Sequence, residues 1–168
     1  MDYTIVIDYQ KDFIDGSLYN EEAIKIRDNV IKRIKEGIEN KNKLIFTRDT
    51  HDKSYLSTNE GKNLPIKHCI KGTEGHEIDK TVLESFNYPY TIIDKPTFGY
   101  KDWTLDDPKN IYIFGVCTDI CVISNVLILK AYYPEANIYV YSDACAGLSS
   151  EKHKAALSVL ESCQVKVL

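Results

Sequence analysis

Five cysteines are spread along the chain, and one of them, Cys121, stands where a thiol could act as a nucleophile. It closes the run Gly115-Val-Cys-Thr-Asp-Ile-Cys121, which follows the apolar, β-type stretch Ile111 to Val116 and leads into a helical pattern of Val122, Val126, Leu127 and Leu129. A buried strand feeding a helix gathers unpaired backbone N–H groups at the junction, and the helix dipole favours negative charge there. Free cysteine has a pKa of about 8.5, which helix N-termini lower. Cys121 is therefore expected to ionise readily and to be alkylated ahead of Cys69, Cys145 and Cys163. The same N–H groups could hold the oxyanion that forms when a thiolate attacks a carbonyl. Taken alone, the segment also fits a small buried core cysteine, so partners elsewhere in the chain decide.

Those partners stand at the ends of strand-like runs. Tyr3 to Asp8 is apolar and β-branched, as in a parallel strand buried on both faces, and it ends in Asp8. Lys43 to Arg48 is followed by Asp49 and His51, and Tyr90 to Asp94 by Lys95. Between the first two strands a helix is expected from Glu21 to Asn40, capped by Asn20, with Ile24, Ile31, Ile34 and Ile38 in one stripe. A long polar loop runs from Asp49 to Gly75, of the kind that is usually functional or disordered. A short helix from Glu77 to Ser85, a strand from Ile138 to Tyr141, a helix from Ser150 to Ser162 capped by Ser149 or Ser150, and a last strand from Val165 to Leu168 complete the pattern. Six strands alternating with helices specify an α/β fold: three layers, α/β/α, around a six-stranded parallel sheet of Rossmann-like topology. Such sheets carry their sites at the carboxyl ends of the strands, where Asp8, Asp49, His51, Lys95 and Cys117 to Cys121 converge.

Composition excludes several functions. The 168 residues suit one domain, 1–168, and the net charge of −4 with scattered lysines gives no footprint for nucleic acid. No apolar run approaches the length of about 20 residues that spans a bilayer. Met1-Asp-Tyr leads into a strand without a basic region or cleavage site, so no membrane partner and a cytoplasmic location are expected. An odd number of cysteines without paired metal-ligand spacing suits a reducing compartment, and Cys117-x3-Cys121 lacks the second pair of a zinc finger.

The ordered combination of Val6-Ile-Asp8-Tyr-Gln10-Lys-Asp12-Phe13, Asp49-Thr-His51, His68-Cys-Ile-Lys-Gly72-Thr73-Glu-Gly75, Lys95-Pro and Gly115-Val-Cys-Thr118-Asp119-Ile-Cys121-Val resembles the isochorismatase-like cysteine hydrolase superfamily, and within it nicotinamidases (pyrazinamidases). The quoted motifs run from Val6 to Val122. The resemblance implies a catalytic set of Asp8, Lys95 and Cys121. It also implies an oxyanion hole from the backbone N–H groups of Cys117 and Cys121, with a non-proline cis peptide at Val116-Cys117. Asp49, His51 and His68 match the set with which nicotinamidases hold a divalent ion, and Glu60 falls where some supply a fourth ligand. Such donors suit zinc, iron or manganese.

The implied activity is hydrolysis of nicotinamide, or a close small carboxamide, to the acid and ammonia through a thioester, as in NAD salvage. The chain departs from the family pattern in three places. The metal loop has Tyr55 but no tryptophan, so Phe13, Tyr55 or Phe98 would contact the substrate ring; Pro-Thr-Phe-Gly-Tyr follows Lys95 in place of a serine-containing run; and Cys117 replaces alanine. Other readings therefore stay open at this point: hydrolysis of another amide, a ureide or a vinyl ether, a non-catalytic binding module, or a redox-thiol protein. A homo-oligomer is compatible with all of them.

Overall fold

The computed structural model describes residues 1–168. Strands β1 (Asp2–Ile7), β2 (Lys43–Asp49), β3 (Tyr90–Lys95), β4 (Asn110–Val116), β5 (Asn137–Ala146) and β6 (Lys166–Val167) form one sheet in the order β3-β2-β1-β4-β5-β6. All neighbours are parallel. Helices α1 (Lys11–Ile14), α2 (Glu21–Lys25), α3 (Arg27–Glu39), α4 (Asn59–Asn63), α5 (Lys80–Leu83), α6 (Ile123–Tyr132) and α7 (Ser150–Ser162) lie between the strands in sequence. Because helices flank the sheet, the central strands are largely apolar: Ile5, Val6, Ile7, Phe46, Ile111, Ile113 and Phe114 are all buried. Each such side chain stabilises the fold by about 1.5–3 kcal/mol relative to an exposed one. The most firmly packed strands are thus the ones that end at the site.

The chain leaves β1 toward β2 on one side and β4 toward β5 on the other, so the sheet reverses direction between β1 and β4. In doubly wound sheets a crevice opens at that switch, outside the carboxyl ends of the strands. Gly115 brings the two strands close there. It pairs with Ile7 at φ +131°, and a Cβ on it would collide with the Ile7 backbone. That close approach sets Asp8, just past β1, beside the turn that follows β4.

Several elements differ from the sequence reading. The helix expected from Glu21 to Asn40 is interrupted at Ile26, whose N–H bonds to the carbonyl of Ile24; Asn20 caps α2 by accepting from the N–H of Glu22. The break lets Ala23 of α2 and Val30 and Ile34 of α3 all reach the core. The polar loop after β2 contains 3-10 turns at Tyr55–Ser57 and Glu74–His76 and helix α4, capped by the Thr58 side chain. The helix expected over Glu77 to Ser85 shrinks to α5, because the Asp79 side chain caps it by accepting from the N–H of Val82. Strand β5 continues to Ala146, where Cys145 and Ala146 pair with Gly115 and Val116. Its polar residues Ser142 and Asp143 had masked that extension.

Candidate functional site

Asp8, Lys95 and Cys121 come from three strand ends and meet in the interior. Asp8 and Lys95 are fully buried, and Lys95 Nζ lies 2.5 Å from Asp8 Oδ2. The backbone of Asp8 is left-handed, at φ +48°. Its N–H donates to the Thr47 carbonyl at 3.2 Å, and its Oδ1 accepts from the Thr47 hydroxyl at 2.6 Å. The Lys95 ammonium also donates to the Thr97 carbonyl at 3.1 Å and stands 4.0 Å from Asp49 Oδ1. Burial alone would lower the Lys95 pKa, but the charges of Asp8, Cys121 and Asp49 outweigh it and hold the ammonium charged.

Cys121 does not sit in the first turn of an α-helix. It lies within a π-helical turn, Thr118–Val122, in which the N–H of Val122 reaches the Cys117 carbonyl at 3.1 Å, and α6 begins only afterwards. Wide turns of this kind concentrate at functional sites. Val116-Cys117 is a cis peptide, as the resemblance implied, and the N–H of Cys117 donates to no backbone acceptor. The expectation of an easily ionised thiol is overturned. Burial pushes the Cys121 thiol well above the usual range, and Asp8 and Asp49 add to that, while Lys95 works the other way. Burial likewise raises the carboxyl of Asp8, against the pull of Lys95. The expected labelling order also changes, since Cys163 is half-exposed whereas Cys69, Cys117, Cys121 and Cys145 are buried.

Asp49, His51, His68 and Glu60 each bring one ligand atom into a group within 4.8 Å of one another. His51 Nε2 and His68 Nε2 lie 2.9 and 3.2 Å from Asp49 Oδ2, and 3.5 and 3.9 Å from Glu60 Oε1. The donor set fits a divalent ion on two observations. Asp49 Oδ1 and Glu60 Oε1 are buried without a hydrogen-bond partner. His68 Nδ1 is 2.8 Å from the Ile66 carbonyl, which fixes the N–H there and leaves Nε2 with a free lone pair, the usual outer support of a ligating histidine. Burial works to raise Asp49, but the adjoining His51 and His68 imidazoles and the charge of Lys95 hold its carboxyl far below the usual range. Burial and the neighbouring Asp49 raise Glu60.

Thiol and donor set open into one cavity of about 560 Å³, lined by Asp49, Glu60, His68, Cys117 and Cys121 together with Phe13, Leu64, Ile66, Phe98, Ile120 and Leu148. That size and largely apolar wall suit a small organic ligand. Phe13 and Phe98 line it as expected. Tyr55 does not: it is buried behind the imidazoles, with its ring 4.7 Å from His51 and 4.9 Å from His68, and its hydroxyl donates to the Leu64 carbonyl. It backs the donor set instead of contacting a ligand, because the 3-10 turn Tyr55–Ser57 folds it inward. The sequence reading assigned no role to Gln10. Its side chain accepts from the N–H of Asp49 at 2.7 Å and donates to the carbonyls of Asp49 and His76 at 2.9 and 2.8 Å, pinning the end of β2 and the loop after it to the segment that follows β1. Its place two residues after Asp8 in the first motif was the available signal.

The isochorismatase domain model matches residues 3–168. The chain belongs to the isochorismatase family. Among relatives it is 31% identical to PncA, an isochorismatase family protein of Bacillus subtilis, over 92% of this chain and 91% of that one. Of solved structures, it is similar to the pyrazinamidase/nicotinamidase of Streptococcus mutans, with a TM-score of 0.88, 27% identity and full coverage of both chains. The pyrazinamidase of Pyrococcus horikoshii, solved in complex with zinc, follows with a TM-score of 0.80, 26% identity, and 99% and 98% of the two chains covered. Within the family the chain is a nicotinamidase-like hydrolase, and a metal-competent donor set accompanies the fold. No helix is long and apolar enough to cross a membrane.

Proposed function

We propose that residues 1–168 act as one hydrolase domain that converts nicotinamide, or a close small carboxamide, to the acid and ammonia. The observation that carries this reading is that Cys121, whose neighbours Asp8 and Lys95 form a buried ion pair, and Asp49, Glu60 and His68 of the donor set line a single, largely apolar cavity. Cys121 Sγ attacks the carboxamide carbon as Asp8 takes the thiol proton, a division of labour supported by the raised pKa of both groups. The backbone N–H groups of Cys117 and Cys121 receive the oxyanion. Asp8 returns its proton to the leaving nitrogen, ammonia departs, and a thioester to Cys121 remains. Asp8, ionised again, then draws a proton from the water that hydrolyses the thioester, releasing the acid and the thiol. Lys95 remains protonated throughout and holds Asp8 in place. Asp49, His51, His68 and Glu60 would hold zinc, iron or manganese, whose bound ion would supply a Lewis-acid anchor for a ring nitrogen. Phe13 and Phe98 then flank the ring. The zinc complex of the Pyrococcus horikoshii pyrazinamidase supports the metal assignment.

A cavity walled by Leu64, Ile66, Ile120 and Leu148 without a tryptophan also favours a second substrate class, a bulkier amide or ureide. Ammonia release from a panel of carboxamides, with Cys121→Ala as control, tests both. The first reading expects the highest kcat/KM on nicotinamide; a larger amide hydrolysed faster would install the second, and ammonia from none would remove both.

A further inference from the structure

We propose that Asn125 is a positioning residue that locks the Cys121 turn to the Phe98 wall of the cavity, so that nucleophile and wall hold one fixed spacing. The inference rests on the reading of Cys121 as nucleophile. Asn125 lies in α6 and is fully buried. Asparagine is a poor residue for a helix interior, and a buried amide is costly unless bonded. Here its capacity is used in full. Nδ2 donates to the Cys121 carbonyl at 2.8 Å and to the Phe98 carbonyl at 3.0 Å. Oδ1 accepts from the N–H of Tyr100 at 2.9 Å and from the Trp103 indole at 3.3 Å.

One side chain therefore ties the turn bearing the thiol to three points of the segment after Lys95. Gly99 adds to the close packing: a Cβ there would press on the Ile128 side chain of α6, which would have to shift. Phe98 and Cys121 both line the cavity. Releasing Asn125 would therefore loosen the wall and the thiol together.

Trp103 is the only tryptophan of the chain, so its fluorescence reports the far end of this bridge. The experiment compares wild type with Asn125→Asp, which still accepts from Tyr100 and Trp103 but no longer donates an amide to the Cys121 and Phe98 carbonyls. In wild type, alkylation of Cys121 by iodoacetamide, verified by peptide mapping, should shift Trp103 emission. In Asn125→Asp that shift should be lost, kcat for nicotinamide should fall roughly 10- to 100-fold, as for a displaced reacting group, and KM should rise. A purely structural role would lower only the melting temperature. Wild-type kcat and KM in a folded Asn125→Asp protein would overturn the proposal. So would wild-type Trp103 emission that ignores alkylation of Cys121, an arm that stands even if the variant fails to fold. Absence of ammonia release by wild type, in contrast, would count against the proposed function and leave the fluorescence result to judge Asn125.

Discussion

Asp8 carries opposing demands: a buried carboxyl pushed up by desolvation, and an ammonium at 2.5 Å pulling the other way. If it is the proton carrier, Asp8→Asn should lower turnover by about 10²–10⁴-fold, the usual worth of general acid–base catalysis. Circular dichroism and ligand binding should stay near wild type, and near-normal turnover would exclude the role. At this scale the positions of Asp8, Lys95 and Cys121 were legible, because a residue just past a buried strand has little freedom over where it lands. The acidity of Cys121 was not. A helix start suggests a lowered pKa, but burial acts more strongly, and only packing discloses it. Tyr55 was misplaced for a related reason: distance along a loop says nothing of which side of the two imidazoles a ring will take.

At the scale of elements, the loop after β2 is held by side chains from elsewhere. Replacing Gln10 with Leu would leave the N–H and carbonyl of Asp49 without partners. Loss of outer support of this kind typically costs 10–100-fold in metal affinity, so zinc binding by Gln10→Leu, measured by competition with a chelating dye, should weaken by about that factor. Unchanged affinity would show that the loop holds itself. Two histidines outside the donor set tie elements together: His76 Nε2 to Thr50 Oγ1 at 2.8 Å, and His153 Nδ1 of α7 to Thr118 Oγ1 at 2.7 Å. Burial lowers the pKa of both, so the folded state binds their protons less readily than the unfolded chain. Their stabilisation is complete above the unfolded histidine value of about 6.5 and is lost as pH falls through the lowered folded values. The melting temperature should therefore drop on acidification below neutrality, and less steeply in His76→Gln. The same slope in both proteins would remove His76 from the account. The sequence made the strands and α7 plain through their periodicity, whereas α1, α4 and the 3-10 turns are too short to carry a period and depend on caps such as Thr58 and on distant partners such as Gln10.

For the whole molecule, the strand order explains why one short sequence can assemble both a thiol site and a metal-competent site. The reversal between β1 and β4 brings Asp8 beside the Cys121 turn, and β2, next to β1, delivers Asp49 on the same rim. The two centres share a cavity but have separate supports, so their functions should separate. Chelation should weaken nicotinamide turnover while iodoacetamide still alkylates Cys121, with peptide mapping and ammonia release followed in parallel. Loss of alkylation on chelation would mean that the ion supports the thiol itself. The most direct test of the central claim is to quench the metal-loaded protein in acid during turnover of nicotinamide and to map the peptides by mass spectrometry. The account predicts a nicotinoyl adduct on Cys121, absent from Cys121→Ala and accumulating in a variant slowed at thioester hydrolysis. Nicotinamide hydrolysis that continues in Cys121→Ala, or an acyl group found on another residue, would contradict it.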